Sequence, residues 1–327
     1  MPSLVIEGAL TVMLYAVLRD LIRDMAPDVV VTTYPLYQAP LGAVRAIEGT
    51  NVALVTVVTD LVTVHRVWFS QAADLVVVPT EAAREIALEH GISTQCVEVL
   101  GVPVDPAIGR EDRDRSSIRA ELGWGQDLPT FLVVGGKRVN HLTGILRAVN
   151  HSRLPVQLAV VSGSDEEAHR EYRQMDWHMP THVYGFVENM PALMRAADGI
   201  LCKAGGLIVS EALACGLPLL LIDVLPGQET GNANYVVRGG AGELVPDPVS
   251  ALEGMYHWLD HGGIVLADRA RNARQLGRPR AAYEIAERAW ALAERGLNEE
   301  RGACGHERLG LIELLTRSGV PWQADGE

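Results

Sequence analysis

A lysine, two glycines and a glutamate lie close together in the second half of the chain: Lys203, Gly205, Gly206 and Glu211. An apolar run ends at Lys203, and a helical pattern follows the two glycines. A Gly-Gly turn lets backbone N–H groups approach an anion, and the N-terminus of the next helix carries partial positive charge. Lys203 adds a charged donor, so the spacing favours a phosphate-bearing ligand.

The carboxylate of Glu211 would repel such a phosphate unless it binds another part of the ligand. The two vicinal hydroxyls of a ribose suit it. The alternative is that the glycines form an ordinary strand-to-helix turn and that Glu211 is an acid near the helix start.

A polar loop at residues 226–234 follows the next apolar run, which spans residues 217–224 and suits a strand buried on both faces. The loop contains Gln228 and Glu229, an amide and a carboxylate that can bind the several hydroxyls of a hexose. Asn232 either adds to this sugar site or caps the following helix, and the residues alone leave that choice open.

The whole stretch KAGGLIVSEALACGLPLLLIDVLPGQETGNANYVV resembles the nucleotide-sugar domain of diacylglycerol glycosyltransferases. That family includes monogalactosyldiacylglycerol synthases and bacterial processive glucosyltransferases, and it is related to the enzyme that adds N-acetylglucosamine in lipid II synthesis. The resemblance implies a UDP-sugar donor. It also implies donor-binding roles for Lys203, Gly205, Gly206, Leu207, Glu211, Gln228, Glu229 and Asn232.

The string VTDLVTVHRVWF resembles the acceptor-side domain of the same family. It follows a buried strand, and α/β folds place ligands at the carboxyl ends of strands. Asp60 is therefore the candidate to orient or deprotonate an acceptor hydroxyl, with His65 and Trp68 lining the acceptor site. The alternative is that Asp60 caps a turn and that Trp68 packs in the core.

Two further loops match the donor domain of the family. Gly135, Gly136 and Lys137 follow the first strand of the second half, where the family has a Gly-rich loop facing the donor diphosphate, and this chain has fewer glycines there. Phe186 lies in the segment that matches the family's base-binding loop, so backbone groups at residues 185–187 are expected to hold uracil. The alternative for Phe186 is a core position.

The chain has 327 residues, enough for two domains, and a net charge of −13 that argues against binding nucleic acid. Its four cysteines form no C-x-x-C pair, and neither a metal nor a cofactor is expected. No apolar run reaches the roughly 18 residues of a membrane span, and no signal peptide is evident. We expect a cytoplasmic protein that can bind peripherally to the inner face of the cell membrane.

Strand patterns alternate with helical patterns along the chain, which predicts two parallel α/β domains at residues 1–112 and 113–327. The resemblance implies the GT-B architecture, two Rossmann-like domains facing a cleft. A charged segment at residues 110–127 is predicted as a linker running into a short helix. The predicted helices are residues 3–25, 81–90, 281–295 and 309–315, and the predicted strands are residues 29–31, 52–58, 75–78, 97–100, 131–134, 156–161, 182–187, 199–202, 217–224 and 242–245.

The first domain departs from the family, because it starts with a helix instead of a strand and a Gly-rich loop. In the family a Gly-Gly-His loop lies upstream of the segment that matches residues 3–25, and its histidine is the usual candidate base. We therefore expect the first strand and this loop to be lacking. A mis-assigned start codon, a fragment and an altered activity remain three open explanations.

These observations predict an inverting, metal-independent glycosyltransferase that moves a hexose from a UDP-sugar to a lipid hydroxyl, with diacylglycerol or a glycosyl-diacylglycerol as acceptor. One alternative is a glycosyltransferase with an undecaprenyl-linked or other acceptor. Another is a nucleotide-sugar-binding protein that has lost catalysis. A dehydrogenase is disfavoured, since neither half has a G-x-G-x-x-G motif after its first strand.

Overall fold

The computed structural model describes residues 2–110, 113–136, 139–227 and 229–298. The chain divides into two compact units, each built on its own parallel sheet. The first unit comprises residues 1–102 and the C-terminal helix from Tyr283, and the second unit comprises residues 103–282. No helix among the described residues combines the length and the apolar character needed to cross a membrane.

The first unit has a four-stranded parallel sheet whose strands are ordered β1-β2-β3-β4, so the described strands advance in one direction. Strands β2 and β3 are buried along their whole length, as expected for apolar runs covered on both faces. The elements are α1 (Pro2–Met25), β1 (Val29–Thr32), α2 (Gln38–Glu48), β2 (Ala53–Val57), β3 (Leu75–Val78), α3 (Glu81–Glu89) and β4 (Val97–Val99), with short 3₁₀ turns at Pro35–Tyr37, Arg66–Trp68 and Thr94–Cys96.

The second unit has a six-stranded parallel sheet with the order β10-β9-β8-β5-β6-β7. Its strands run outward from β5 on one side and from β8 on the other, so the winding direction reverses between these two neighbours. Its elements are α4 (Pro106–Arg110), α5 (Arg115–Leu122), β5 (Thr130–Val134), α6 (Leu142–His151), β6 (Gln157–Val161), α7 (Glu166–Gln174), β7 (Thr181–Tyr184), α8 (Met190–Ala196), β8 (Gly199–Lys203), α9 (Gly206–Ala214), β9 (Leu219–Asp223), α10 (Thr230–Arg238), β10 (Gly242–Leu244) and α11 (Pro248–Leu276). Helix α12 (Ala281–Asn298) follows it in the chain.

The charged segment predicted as a linker belongs to the second unit. Asp114 caps α5 by accepting a hydrogen bond from the backbone N–H of Ser117 at 2.7 Å. Arg119 of α5 is buried and donates to the carboxylate of Asp198 at 2.6 Å and to the carbonyl of Ala196 at 2.8 Å. Because α5 packs on α8 through these contacts, the second unit begins before the boundary at residue 112 that the sequence predicted.

The described strands all lie where the sequence predicted them, with ends that differ by a few residues. Helix α12 confirms the predicted helix at 281–295, but it joins the first unit from Tyr283, where Arg288 donates to Glu98 at 2.8 Å. The predicted helix at 309–315 lies outside the described residues. Helix α11 was not predicted, and its backbone is non-helical at residues 260–263, which interrupts the periodicity.

Asp198 offers a direct test of the contacts that fasten α5. Asp198→Ala removes the carboxylate that accepts from Arg119, Arg115 and the Thr130 N–H, and it leaves the buried Arg119 guanidinium without this carboxylate as its ion-pair partner. We expect the free energy of unfolding of the second unit in urea to fall by about 3–5 kcal/mol. Asp268→Ala, which breaks an exposed pair with Arg271, should cost at most about 1 kcal/mol. Equal losses in the two variants would contradict the buried role of Asp198.

Candidate functional site

The loops after β5 and β8 begin side by side, because these two strands pair at Val133 and Leu201. They lie at the point where the winding of the second sheet reverses, which is where open α/β sheets bind ligands. Gly135 and Gly136 follow β5, and Lys203 ends β8 just before Gly205. The fold therefore brings two of the predicted donor-binding segments to the same edge.

The turn before α9 leaves the first N–H groups of the helix without a side-chain cap among the described residues. Gly205 is the N-cap of α9, and as a glycine it makes no side-chain hydrogen bond to the first turn of the helix. Its φ of −69° is one that any residue adopts, and a Cβ built there would meet nothing closer than Ile208 Cγ2 at 3.6 Å. Neither the backbone conformation nor packing among the described residues requires a glycine at this position. The Leu207 side chain is exposed on the same turn.

Lys203 and Glu229 form an ion pair beside this turn. The Nζ of Lys203 lies 3.3 Å from Oε1 of Glu229, and the other carboxylate oxygen accepts from the backbone N–H of Leu225 at 2.8 Å. The Glu229 side chain is 11% exposed, whereas that of Lys203 is 35% exposed. The carboxylate is therefore fixed in position, while the ammonium group remains accessible at the end of β8.

Asn232 lies in the first turns of α10, and Glu229 is the N-cap residue of that helix, so Asn232 does not cap it. Its buried amide donates to the carbonyl oxygen of Ala204 at 3.0 Å. Asn232 thus fastens α10 to the residue that precedes Gly205. This contact positions the turn, and a ligand-binding role for Asn232 stays a prediction.

Glu211 lies on α9 about 7.5 Å along the helix axis from Gly206. Its side chain is half-buried, and burial, followed by the nearby carboxylate of Asp105, raises the pKa of Glu211 above its ordinary value. No hydrogen bond or ion pair engages its carboxylate within the described part of the chain. Glu211 therefore has both oxygens available to hydroxyl groups.

The glycines after β5 are required by close packing, in contrast to Gly205. A Cβ on Gly136 would lie 2.7 Å from Cβ of Asp165, the residue that caps α7 by accepting from Ala168 N–H at 2.9 Å. Gly135 has a φ of +155°, and a Cβ there would lie 2.7 Å from a methyl group of Val139. Glycine at these two positions allows the loop after β5 to pack closely against Asp165 and Val139. Lys137 and Gln228, both predicted to bind the donor, lie outside the described residues.

Asp223 at the end of β9 connects the two loops, and the sequence analysis did not identify it. Its carboxylate accepts from the backbone N–H of Asn140 at 3.3 Å and from the Asn140 amide at 3.4 Å. Its carbonyl oxygen accepts from Ala204 N–H at 2.9 Å, and a bulge places Lys203 opposite it. An acidic residue that ends a buried apolar run at the carboxyl edge of a sheet was the available signal.

Phe186 lies in the loop after β7, and its side chain is 75% exposed, so the alternative of a core position is wrong. Gly185 packs within ordinary contact of the His169 ring, with 3.8 Å to a built Cβ. An exposed aromatic ring at the carboxyl edge of the sheet is compatible with a loop that binds a nucleobase. The role of the backbone at residues 185–187 stays a prediction.

In the first unit, Asp60 follows β2 and accepts a hydrogen bond from the indole N–H of Trp68 at 2.8 Å. Trp68 is 3% exposed and packs in the core, as the alternative interpretation had it. Its buried indole is therefore unsuited to line an acceptor site and instead orients the carboxylate of Asp60. His65 is exposed, and its Nδ1 accepts from Val67 N–H at 3.2 Å.

The described residues contain no group of three or more histidine, cysteine, aspartate or glutamate side chains that could hold a metal ion. Burial raises the pKa of the Cys202 thiol, next to Lys203, to about 12. Cys202 is therefore a packing residue on β8 at neutral pH, and the polar chemistry of this edge belongs to Lys203, Glu211, Glu229 and Asp223.

Two family models match the chain. Residues 5–104 match the model described as monogalactosyldiacylglycerol (MGDG) synthase. Residues 131–261 match the C-terminal domain of glycosyltransferase family 28. The two matches fall on the first and second units respectively and confirm the predicted resemblance.

Among curated relatives, a probable chloroplastic monogalactosyldiacylglycerol synthase of Glycine max is 32% identical over 270 residues, which cover 79% of this chain and 51% of that protein. Monogalactosyldiacylglycerol synthase 3 of Arabidopsis thaliana is 32% identical over 275 residues, which cover 81% of this chain and 59% of that protein. The chain thus spans between half and three-fifths of the length of these relatives.

Solved structures show the same fold. The S. aureus MnaA–UDP co-structure matches with a TM-score of 0.67 and 17% identity, covering 91% of this chain and 85% of that chain. Acinetobacter baumannii MurG matches with a TM-score of 0.60 and 18% identity, covering 84% of this chain and 76% of that chain. The predicted fold class, two Rossmann-like α/β domains of the GT-B type, is confirmed.

The two kinds of glycine at this edge lead to a prediction on stability. Gly136→Ala must displace Asp165, so we expect a loss of about 1–3 kcal/mol in the free energy of unfolding of the second unit. Gly205→Ala meets no atom closer than 3.6 Å and should change it by no more than about 0.5 kcal/mol. Urea unfolding followed by circular dichroism measures both. A loss for Gly205→Ala as large as that for Gly136→Ala would show that Gly205 is structural.

Proposed function

The chain belongs to the diacylglycerol glycosyltransferase family, and we propose that it transfers a hexose from a UDP-sugar to a lipid hydroxyl, with diacylglycerol or a glycosyl-diacylglycerol as acceptor. The observation that carries this proposal is the turn at Gly205, which has no side-chain cap and an accessible Lys203 beside it, and where an added Cβ would meet no described atom closer than 3.6 Å. Such a turn, at the switch point of a doubly wound sheet, suits a diphosphate.

The donor is bound by the second unit. The N–H groups at the start of α9 and the ammonium of Lys203 contact the diphosphate, and Glu211 accepts hydrogen bonds from the ribose hydroxyls. Glu229 accepts from a hexose hydroxyl while it retains its bond to Leu225 N–H. Phe186 and its neighbours in the loop after β7 hold the uracil. Gln228, Asn232 and Lys137 complete the set by family resemblance.

Transfer with inversion is a single displacement. The acceptor oxygen forms a bond to the anomeric carbon as the bond between that carbon and the β-phosphate oxygen breaks, and UDP leaves. Negative charge develops on the leaving diphosphate, where the N-terminus of α9 and Lys203 stabilise it. The hydroxyl proton goes to a base, for which Asp60 is the candidate in this chain, since one of its oxygens accepts from Trp68 and the other has no hydrogen-bond partner among the described residues.

Diacylglycerol, the proposed acceptor, is held in a lipid bilayer. We therefore propose that the protein acts as a peripheral enzyme at the inner face of the cell membrane. A second candidate function is UDP-sugar binding without transfer. It is favoured by one feature of the sequence, the reduced number of glycines in the loop after β5.

The proposal is tested by incubating the protein with radiolabelled UDP-galactose or UDP-glucose and diacylglycerol in detergent micelles. We expect label in a galactosyl- or glucosyl-diacylglycerol with at least one donor. The parallel assay with an undecaprenyl-linked acceptor should give none. Binding of UDP in calorimetry with no transfer to any acceptor would reject the enzymatic proposal in favour of the binding protein.

Donor binding should depend on pH through Glu211. Its pKa is raised, so as pH falls the carboxylate takes up a proton at a higher pH than an ordinary glutamate and loses its capacity to accept from both ribose hydroxyls. We expect the Kd for UDP to rise as pH falls through this raised pKa. Glu211→Gln should bind UDP about tenfold more weakly at neutral pH and lack that component of the pH dependence. An identical pH profile for the variant would contradict the ribose assignment.

A further inference from the structure

A cavity of about 300 Å³ lies in the first unit. Its walls come from the start of α2, from the 3₁₀ turn after β1 and from the segment that follows Asp60. A cavity of this size accommodates a small organic group. The lining residues are Pro35, Leu36, Gln38, Ala39, Arg66, Val67, Phe69, Ser70 and His90.

Gln38 is the polar residue built into this wall. It is 6% exposed, and its Oε1 accepts from the hydroxyl of Thr56, a fully buried residue of β2, at 2.6 Å. Its Nε2 is buried and has no hydrogen-bond partner in the part of the chain that the structure describes. Because Thr56 fixes the amide, the unpaired NH₂ group is a donor that lacks an acceptor oxygen. A buried donor in that state is unfavourable unless a ligand satisfies it.

The rest of the lining defines the chemistry of that ligand. Arg66 is a cationic donor and Ser70 carries a hydroxyl, whereas no carboxylate is found among the described residues that line the cavity. The remaining lining residues are apolar apart from His90, whose ring meets that of Phe69 edge-on with centroids 5.6 Å apart. A complementary group has acceptor oxygens on an apolar body.

One segment of the cavity wall follows the candidate base, Asp60, closely in the sequence. Val67 and Phe69 line the cavity, and Trp68 between them points into the core, where its indole donates to Asp60. The segment whose Trp68 side chain orients Asp60 on the core side thus forms part of the cavity wall with its other residues. In a diacylglycerol the atoms next to the reacting hydroxyl are the two ester groups and the first carbons of the acyl chains.

We propose that this cavity binds the ester-bearing part of the acceptor lipid and that the Gln38 Nε2 donates to an ester carbonyl oxygen. The proposal rests on the function proposed above and deepens it, because it makes the ester linkage a feature that the enzyme recognises. Gln38 is then a specificity-determining residue for diacyl over dialkyl lipids.

The test compares dioctanoylglycerol with its dioctyl ether analogue, which lacks both carbonyl oxygens. Gln38→Met preserves volume and removes the donor, and Gln95→Met makes the same substitution at an exposed glutamine of this unit. For the unmodified chain and Gln95→Met we expect a KM for the ester about tenfold lower than for the ether. Gln38→Met should raise the KM for the ester about tenfold, leave that for the ether unchanged and leave the KM for the UDP-sugar unchanged.

A binding measurement separates failure of this proposal from failure of the proposed function. Calorimetric titration of dioctanoylglycerol and of the ether into the protein without donor should show the same ester preference, and Gln38→Met should abolish it. An unmodified chain that binds ester and ether equally, or a Gln38→Met variant that weakens both alike, overturns the proposal. Ester-selective binding without any sugar transfer would support the cavity and reject the enzyme. An unchanged unfolding midpoint confirms that Gln38→Met folds.

Discussion

The N–H groups at the start of α9 are the feature on which the candidate site depends. A helix that begins at Gly206 without a side-chain cap leaves donors unsatisfied, and an anion is the partner that such donors favour. Two hydrogen bonds hold Ala204, which precedes the turn. The side-chain amide of Asn232 donates to the carbonyl of Ala204, and the N–H of Ala204 donates to the carbonyl of Asp223. Hydrogen bonds to the backbone of Ala204 thus position the site before any ligand arrives.

At the carboxyl edge of the second sheet, the positive charge of Lys203 is paired with the negative charge of Glu229. The chain carries a net charge of −13, so long-range attraction does not bring a diphosphate to it. Lys203 is instead held next to the turn by Glu229, whose second oxygen is fixed by Leu225. A bound diphosphate would take over the ammonium group as its partner, and the Glu229 oxygen thereby freed would face a sugar hydroxyl. The same pair can therefore serve both the phosphate and the hexose.

Much of the fold could be predicted from the sequence, because buried parallel strands read as short apolar runs separated by helical periods. Helix α11 was missed, since residues 260–263 break its pattern with non-helical backbone. The interior role of Arg119 was also missed: a basic residue in a charged stretch gives no sign that it will meet a buried Asp198.

The candidate site, like the fold, could be predicted from the sequence only in part. Lys203, Gly205 and Glu229 were identified, and the structure brings them together around one turn. Residues that hold the loops in place were missed, and Asp223 is the main example, although its acidic side chain at the end of a buried apolar run was an available signal. Trp68 illustrates the opposite case, because an aromatic residue near a candidate base suits a ligand wall and a core position equally well until its burial is known.

The central claim is that Gly205 is a glycine because a diphosphate approaches it. Calorimetric titration of UDP into the unmodified chain and into Gly205→Ala tests that claim most directly, with the midpoint of urea unfolding measured on the same samples. We expect the unmodified chain to bind UDP and the variant to bind it at least about tenfold more weakly at an unchanged midpoint. Equal affinities for UDP, or no binding by the unmodified chain, would contradict the account.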